Sequence, residues 1–208
     1  MASVSLNNTK IYRMTCYLNL NSYLHGGALF AKNFYRGTMQ YVGIHNPDVQ
    51  EKRGKAEIPF KPGATLLDCV PFYFGVRTPM LYVNKKNQDN IIYLVTTAQT
   101  IANASYQYFF TDGHAIMVPT RWYNDIRDLD KLDWNAINAK YWGPQDDPSG
   151  ELKRKKQAEF LVYHSLSWNE IKYIVVRTEK TEKAVLKIMQ QYSQKLYKKV
   201  FVCPQLYF

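Results

Sequence analysis

Glu159 follows the basic run Lys153-Arg154-Lys155-Lys156 after two intervening residues and opens an apolar stretch, Glu159 to Tyr163. Alternation along a strand would turn Phe160, Val162 and His164 to one side, and Glu159, Leu161 and Tyr163 to the other. A carboxylate at the edge of a core strand is costly to bury without a partner. Glu159 is therefore either a solvated strand start or a placed functional group. The cations before it can be read as a solvated face or as an anion-binding element. Lys and Arg hold phosphates and Tyr, Phe and His stack on bases, so cations near aromatics suit single-stranded nucleic acid. His114, after Asp112-Gly113, reads on its own as a turn residue. Tyr73 and Met80 read as core, and Arg53 stands in a charged loop with no signal of its own.

The composition points the same way. The 208 residues carry 27 Lys and Arg against 17 Asp and Glu, a net charge of +10, which favours an anionic partner. Tyr (17) and Phe (10) are abundant, so aromatic surface is available for stacking. The three cysteines, Cys16, Cys69 and Cys203, are far apart, and neither a CxxC pair nor a His pair with ligand spacing occurs. No metal is expected. The N-terminus lacks the apolar core of a signal peptide, and no apolar run reaches the length of a membrane span. The expectation is a soluble, cytoplasmic protein without a membrane partner. No nucleophile-elbow, Walker A, dinucleotide-fingerprint or zincin motif is present.

These residues must be positioned by short elements. Residues 1–9 read as loose. Ile11 to Cys16 reads as a strand, Asn19 to His25 as a helix stopped by Gly26-Gly27, and Leu29 to Ala31 as an extended piece. Lys32 to Lys61 has little periodicity and reads as a long functional loop. Strands are expected at Val70–Phe74, with Pro71 at a start or an edge, and at Ile91–Thr96 and Tyr108–Phe110. Thr97 caps a short helix through Asn103. Arg121 to Leu132 reads as a helix, followed by another capped by Asp133, and Asp146 to Gly150 as a loop. Ile171 to Val176 is a strand, Glu182 to Tyr197 an amphipathic helix and Val200 to Cys203 a last strand. The sum is one α+β domain over residues 1–208.

Several segments form an ordered set: Tyr12-Arg13-Met14-Thr15 with Asn19-Leu20, Gln50-Glu51-Lys52-Arg53, and Val70-Pro71-Phe72-Tyr73-Phe74 with Arg77-x-Pro79-Met80-Leu81-Tyr82. Thr111-Asp112-x-His114, Leu132-Asp133-Trp134 and Lys156-Gln157-Ala158-Glu159-Phe160-Leu161-Val162 complete it. Each is weak alone, but together they span nearly the whole chain, and in this order they resemble the DarT family of DNA ADP-ribosyltransferase toxins.

The resemblance implies an ADP-ribosyltransferase fold, two small opposed β-sheets around an NAD cleft with flanking helices. It implies NAD as co-substrate, single-stranded DNA as acceptor with thymidine N3 as the attachment point, and a macrodomain antitoxin of the DarG kind as partner. It places Glu159 and Arg53 at the reacting centre, and Arg13, Thr15, Asn19 and Arg53 at NAD. Tyr73, Met80, His114, Lys153 and Arg154 are placed at the DNA. Guanine or RNA as acceptor, free NAD hydrolysis, and a basic nucleic-acid-binding module without catalysis remain the alternatives.

Overall fold

The computed structural model describes residues 8–37 and 40–208, so most of the loose stretch expected at residues 1–9 lies outside the described residues. The chain begins with β1 (Lys10–Cys16), α1 (Leu20–Gly26) and β2 (Ala28–Phe30). Then come α2 (Pro47–Lys55), a hairpin of β3 (Glu57–Ile58) and β4 (Lys61–Thr65), β5 (Cys69–Tyr73) and α3 (Pro79–Val83). The middle holds β6 (Ile91–Thr97), α4 (Ala98–Asn103), β7 (Tyr108–Thr111), β8 (Trp122–Tyr123), α5 (Trp134–Asn138) and α6 (Glu151–Lys155). The remainder is β9 (Glu159–Tyr163), β10 (Ser165–Ser167), β11 (Tyr173–Val176), α7 (Glu179–Met189) and β12 (Lys199–Val202).

Eight strands form a hydrogen-bonded series in the order β12-β11-β6-β1-β5-β9-β7-β8. The series is continuous only in name. β1 pairs with β6 along its whole length, from Lys10↔Thr97 to Cys16↔Ile91, but meets β5 at the single pair Tyr12↔Tyr73. The result is two four-stranded halves splayed from one point, as the resemblance implies. Pro71 sits where they part. It lies in the third position of β5, opposite Leu161 of β9, and its carbonyl accepts from Arg13 of β1 at 3.1 Å. Proline is tolerated there because the ladder on the β1 side has already ended, so no N–H is required.

Alternation on β5 and β9 then sorts side chains. Val70, Phe72, Phe160 and Val162 are fully buried in the main core. Cys69, Pro71, Tyr73 and Glu159 face the opposite way, into the space between the halves. Phe160 anchors the core side: its ring lies 5.9 Å from Phe74 edge-on, and is stacked at 5.1 Å on Tyr108 and 6.2 Å on Phe110. Beyond β9 the chain leaves the ladder at His164, a non-glycine residue with φ of 67°, and continues as β10, which pairs with β2.

Three expectations need correction. The stretch Lys32 to Lys61 is not one loop, since it contains α2. Asn46 caps that helix by accepting from the Asp48 amide at 2.8 Å, Pro47 occupies its first turn, and Lys52, Arg53 and Lys55 its last. Arg121 to Leu132 is not a helix. Trp122 and Tyr123 pair with Thr111 and Phe110, and residues 126–131 form a 3-10 turn begun by Asp125. The spacing of Trp122, Ile126 and Leu129 imitates a helical stripe. The last helix starts earlier, behind the Thr178 cap, and ends at Met189; Ser193 then begins a separate short turn.

Truncating Phe160 to Ala should cost about 3–5 kcal/mol. The urea midpoint should fall accordingly with the slope unchanged, and an unaltered midpoint would show that this ring cluster contributes little.

Candidate active site

A cavity of about 990 Å³ opens between the diverging halves. Its walls include Arg13 and Met14 of β1, Lys32, Tyr41 and His45 of the connection to α2, and Arg53 of α2. Tyr73, Met80, His114, Lys153 and Glu159 complete the far side. β9 brings Glu159 to the wall, and α2 lays Arg53 across it. Gly54 of the helix faces the Leu67 side chain, where a Cβ would come within 3.3 Å.

Glu159 is 1% and Arg53 6% exposed. Nη1 of Arg53 donates to Oε2 at 2.8 Å and to Oε1 at 3.1 Å. The Ala115 amide donates to Oε1 at 3.2 Å. The backbone of Glu159 is held as well, since its N–H donates to Thr111 Oγ1 at 3.1 Å, and that hydroxyl donates to the Gly113 carbonyl at 2.7 Å. Three donated bonds leave one of the roughly four lone-pair positions of a carboxylate for another donor. Nη2 of Arg53 is buried, and among the described residues it has no hydrogen-bond partner. An unfilled guanidinium donor beside a cavity is the feature that an anionic ligand would complete.

The field in the cavity is positive. Burial lowers the His45 pKa, and the charges of Lys32, Arg13 and Arg53 lower it further. Burial also lowers that of His114, against the pull of Glu159. The Ile116 amide donates to His114 Nδ1 at 3.4 Å, so this nitrogen is an acceptor and the ring is neutral. Nδ1 stands 3.9 Å from Oε1 of Glu159, too far for a hydrogen bond. Tyr73 is pushed well above the ordinary phenol range by burial and by Glu159, which keeps its hydroxyl protonated; it donates to Met80 Sδ at 3.7 Å. Burial pushes the Cys69 thiol up to about 12, so it is no nucleophile at neutral pH.

The site residues expected from sequence therefore fall into two sets. Arg13, Arg53, Tyr73, Met80, His114, Lys153 and Glu159 line one cavity. Thr15 and Asn19 lie behind it, buried, and are engaged with protein partners. Asn19 donates to Thr15 Oγ1 at 3.0 Å and to the Val42 carbonyl at 2.9 Å, and accepts from the Val42 amide at 2.8 Å. Thr15 in turn meets the Tyr23 hydroxyl at 3.0 Å. Arg154 departs most from its expected role. It is 6% exposed and turned inward, donating to Asp112 at 2.9 Å, Thr120 at 3.1 Å and both oxygens of Glu151 at 3.0 Å. Gly113 makes room for its guanidinium, which a Cβ there would strike. Sequence reasoning missed Thr111 and the Ala115 amide as the groups that orient Glu159; a backbone donor leaves no residue-type signal.

Among the described residues no cluster of His, Cys, Asp or Glu could hold a metal ion. No helix there is long and apolar enough to cross a membrane.

Residues 12–208 match the model of a family described as DarT, ssDNA thymidine ADP-ribosyltransferase. A DNA ADP-ribosyl transferase of Thermus sp. (strain 2.9) is 38% identical over 193 residues, covering 89% of this chain and 90% of the relative. Among solved structures, Thermus sp. 2.9 DarT in complex with ADP-ribosylated ssDNA superposes with a TM-score of 0.90 at 36% identity, over 97% of each chain. Thermus sp. 2.9 DarT in complex with NAD+ superposes with a TM-score of 0.85 at 34% identity, over 97% of this chain and 98% of that one.

Truncating Arg154 to Ala should destabilise the fold by about 3 kcal/mol, the lower end for a broken buried pair, because Glu151 is half exposed. In a chain of this size each kcal/mol moves the melting temperature by roughly 2–4 °C. An unchanged thermal melt would return Arg154 to the solvent-facing role.

Proposed function

The chain belongs to the DarT family of single-stranded-DNA thymidine ADP-ribosyltransferases, and on that premise we propose how its cavity serves the transfer. It is a DNA ADP-ribosyltransferase, and the co-substrate is NAD. The observation that carries the mechanism is the buried Arg53–Glu159 pair in the cavity wall, with Nη2 of Arg53 lacking a partner among the described residues. NAD, when bound, supplies the ADP-ribosyl group by losing nicotinamide, which leaves positive character on the ribose.

The chain's own groups suit that chemistry. Arg13 and Arg53, with Lys32 nearby on the wall, provide cations for a pyrophosphate. The Glu159 carboxylate, fixed by Arg53 and the Ala115 amide, keeps capacity to accept from a ribose hydroxyl and holds negative charge where positive charge grows. Asn19 contributes from behind the wall by pinning the Val42 backbone next to Tyr41, and Thr15 by accepting from Asn19.

Tyr73, Met80 and neutral His114 flank Glu159 and form the seat for the acceptor base. The acceptor nitrogen is thymine N3: its bond to the ribose carbon forms as the ribose–nicotinamide bond breaks, nicotinamide leaves, and the N3 proton is released to solvent. Arg53 is too basic to take that proton, so its role is to stabilise the negative charge that develops on the base. Lys153, exposed at the rim, holds a DNA phosphate. Arg154 supports the Asp112–His114 turn instead of meeting DNA. The chain acts as one domain in the cytoplasm, as a toxin opposed by a macrodomain antitoxin of the DarG kind that removes the modification. Family membership supports this last reading.

Glu159→Gln keeps the shape of the side chain and removes its charge. Transfer of labelled ADP-ribose from NAD to thymine-bearing single-stranded DNA should be lost, while NAD binding measured by calorimetry persists. Full activity in this variant would exclude Glu159 from the reaction.

A further inference from the structure

Outside the cavity mouth, three rings that the site does not use pack edge to face. Tyr82 lies 5.5 Å from Trp142 and 5.2 Å from Phe208, and Trp142 lies 6.5 Å from Phe208. The cluster is built to stay in place. Gln88 grips Phe208 by both backbone groups, donating to its carbonyl at 2.7 Å and accepting from its amide at 2.8 Å. Yet Tyr82 remains 45% exposed and Trp142 is half-buried, which is unusual for large rings so firmly supported.

Cations ring the cluster. Lys85 Nζ stands 4.5 Å above the Tyr82 ring, the Arg77 guanidinium 4.8 Å above Phe208, and Lys153 Nζ 6.0 Å from the centre of Trp142. The cluster is also continuous with the cavity. Lys153 makes the link, lining the cavity while reaching Trp142, and α3, which carries Tyr82, turns Met80 and Val83 to the cavity.

We propose that Tyr82 and Trp142, with Lys85 and Lys153, form a stacking platform for a nucleotide of the DNA strand beyond the acceptor base. Held aromatic faces flanked by phosphate-binding cations are what a single strand recognises without reading sequence. The platform rests on the reading of the cavity as the acceptor site, and it makes affinity depend on strand length: an oligonucleotide that only fills the cavity gains nothing from it.

The test measures binding of fluorescein-labelled single-stranded DNA by anisotropy without NAD, and transfer with NAD, for oligonucleotides of about 4 and about 16 nucleotides. Tyr82→Ala and Trp142→Ala should raise Kd for the longer strand about tenfold and leave the shorter one unchanged. Lys85→Glu, at an exposed position that the core does not depend on, should weaken the longer strand as well and keeps the test valid if an aromatic variant melts early. Unchanged affinity for the longer strand in all three variants, or an equal loss for both lengths, would overturn the platform. Because binding is read without turnover, a wild-type protein that binds DNA in the expected length-dependent way but transfers nothing would count against the proposed reaction and leave the platform standing.

Discussion

A buried ion pair between residues 106 positions apart holds this structure's working parts together. Removing two charges from water costs several kcal/mol for each, and only good geometry and further hydrogen bonds offset it. Glu159 has both, from Arg53 Nη1 and the Ala115 amide. Arg53 is less complete: among the described residues its buried Nη2 has no hydrogen-bond partner. The pair is thus stable enough to form and still short of one partner. That deficit is the physical basis for reading the cavity as an anion site as well as a structural contact.

The rest of the fold can be understood as what brings these two side chains together without closing the space around them. A sheet fully laddered from β12 to β8 would leave no cleft. Separation of β1 from β5 after one residue pair opens it, and Pro71 removes the N–H that would otherwise be stranded there. Strand alternation then puts Phe72 and Phe160 into the core and Tyr73 and Glu159 into the cleft. Core and site are two faces of the same two strands, so packing on one side fixes geometry on the other.

Much of this was legible in the sequence, and unevenly so for physical reasons. Strands that are short, nearly continuous apolar runs, β5, β6, β9 and β11, stand close to where their residues predict. Glu159 stands out because a carboxylate opening such a strand requires a partner or a function. α2 was missed because Val49 is nearly its only apolar side chain, so no periodicity marks it; the Asn46-Pro47-Asp48 cap was the signal available. Lys153 and Arg154 are neighbours in one basic run, yet one is exposed at the rim and the other is locked inside. What separates them is Asp112 and the bare backbone of Gly113, brought in from β7, and no local pattern carries that information. The ordered set of short motifs pointed to the family where individual residues could not, but it did not distinguish side chains in the cavity from those, such as Asn19, that brace its wall.

The most direct test of the account is the intact mass of short single-stranded oligonucleotides after incubation with the protein and NAD. A thymine-bearing DNA, a thymine-free DNA and an RNA of matched length would be compared. One ADP-ribose should be gained on the thymine-bearing DNA alone. A gain on the thymine-free DNA or on the RNA would contradict the assigned acceptor, and no gain on any strand despite DNA binding would contradict the catalytic role of the Arg53–Glu159 pair.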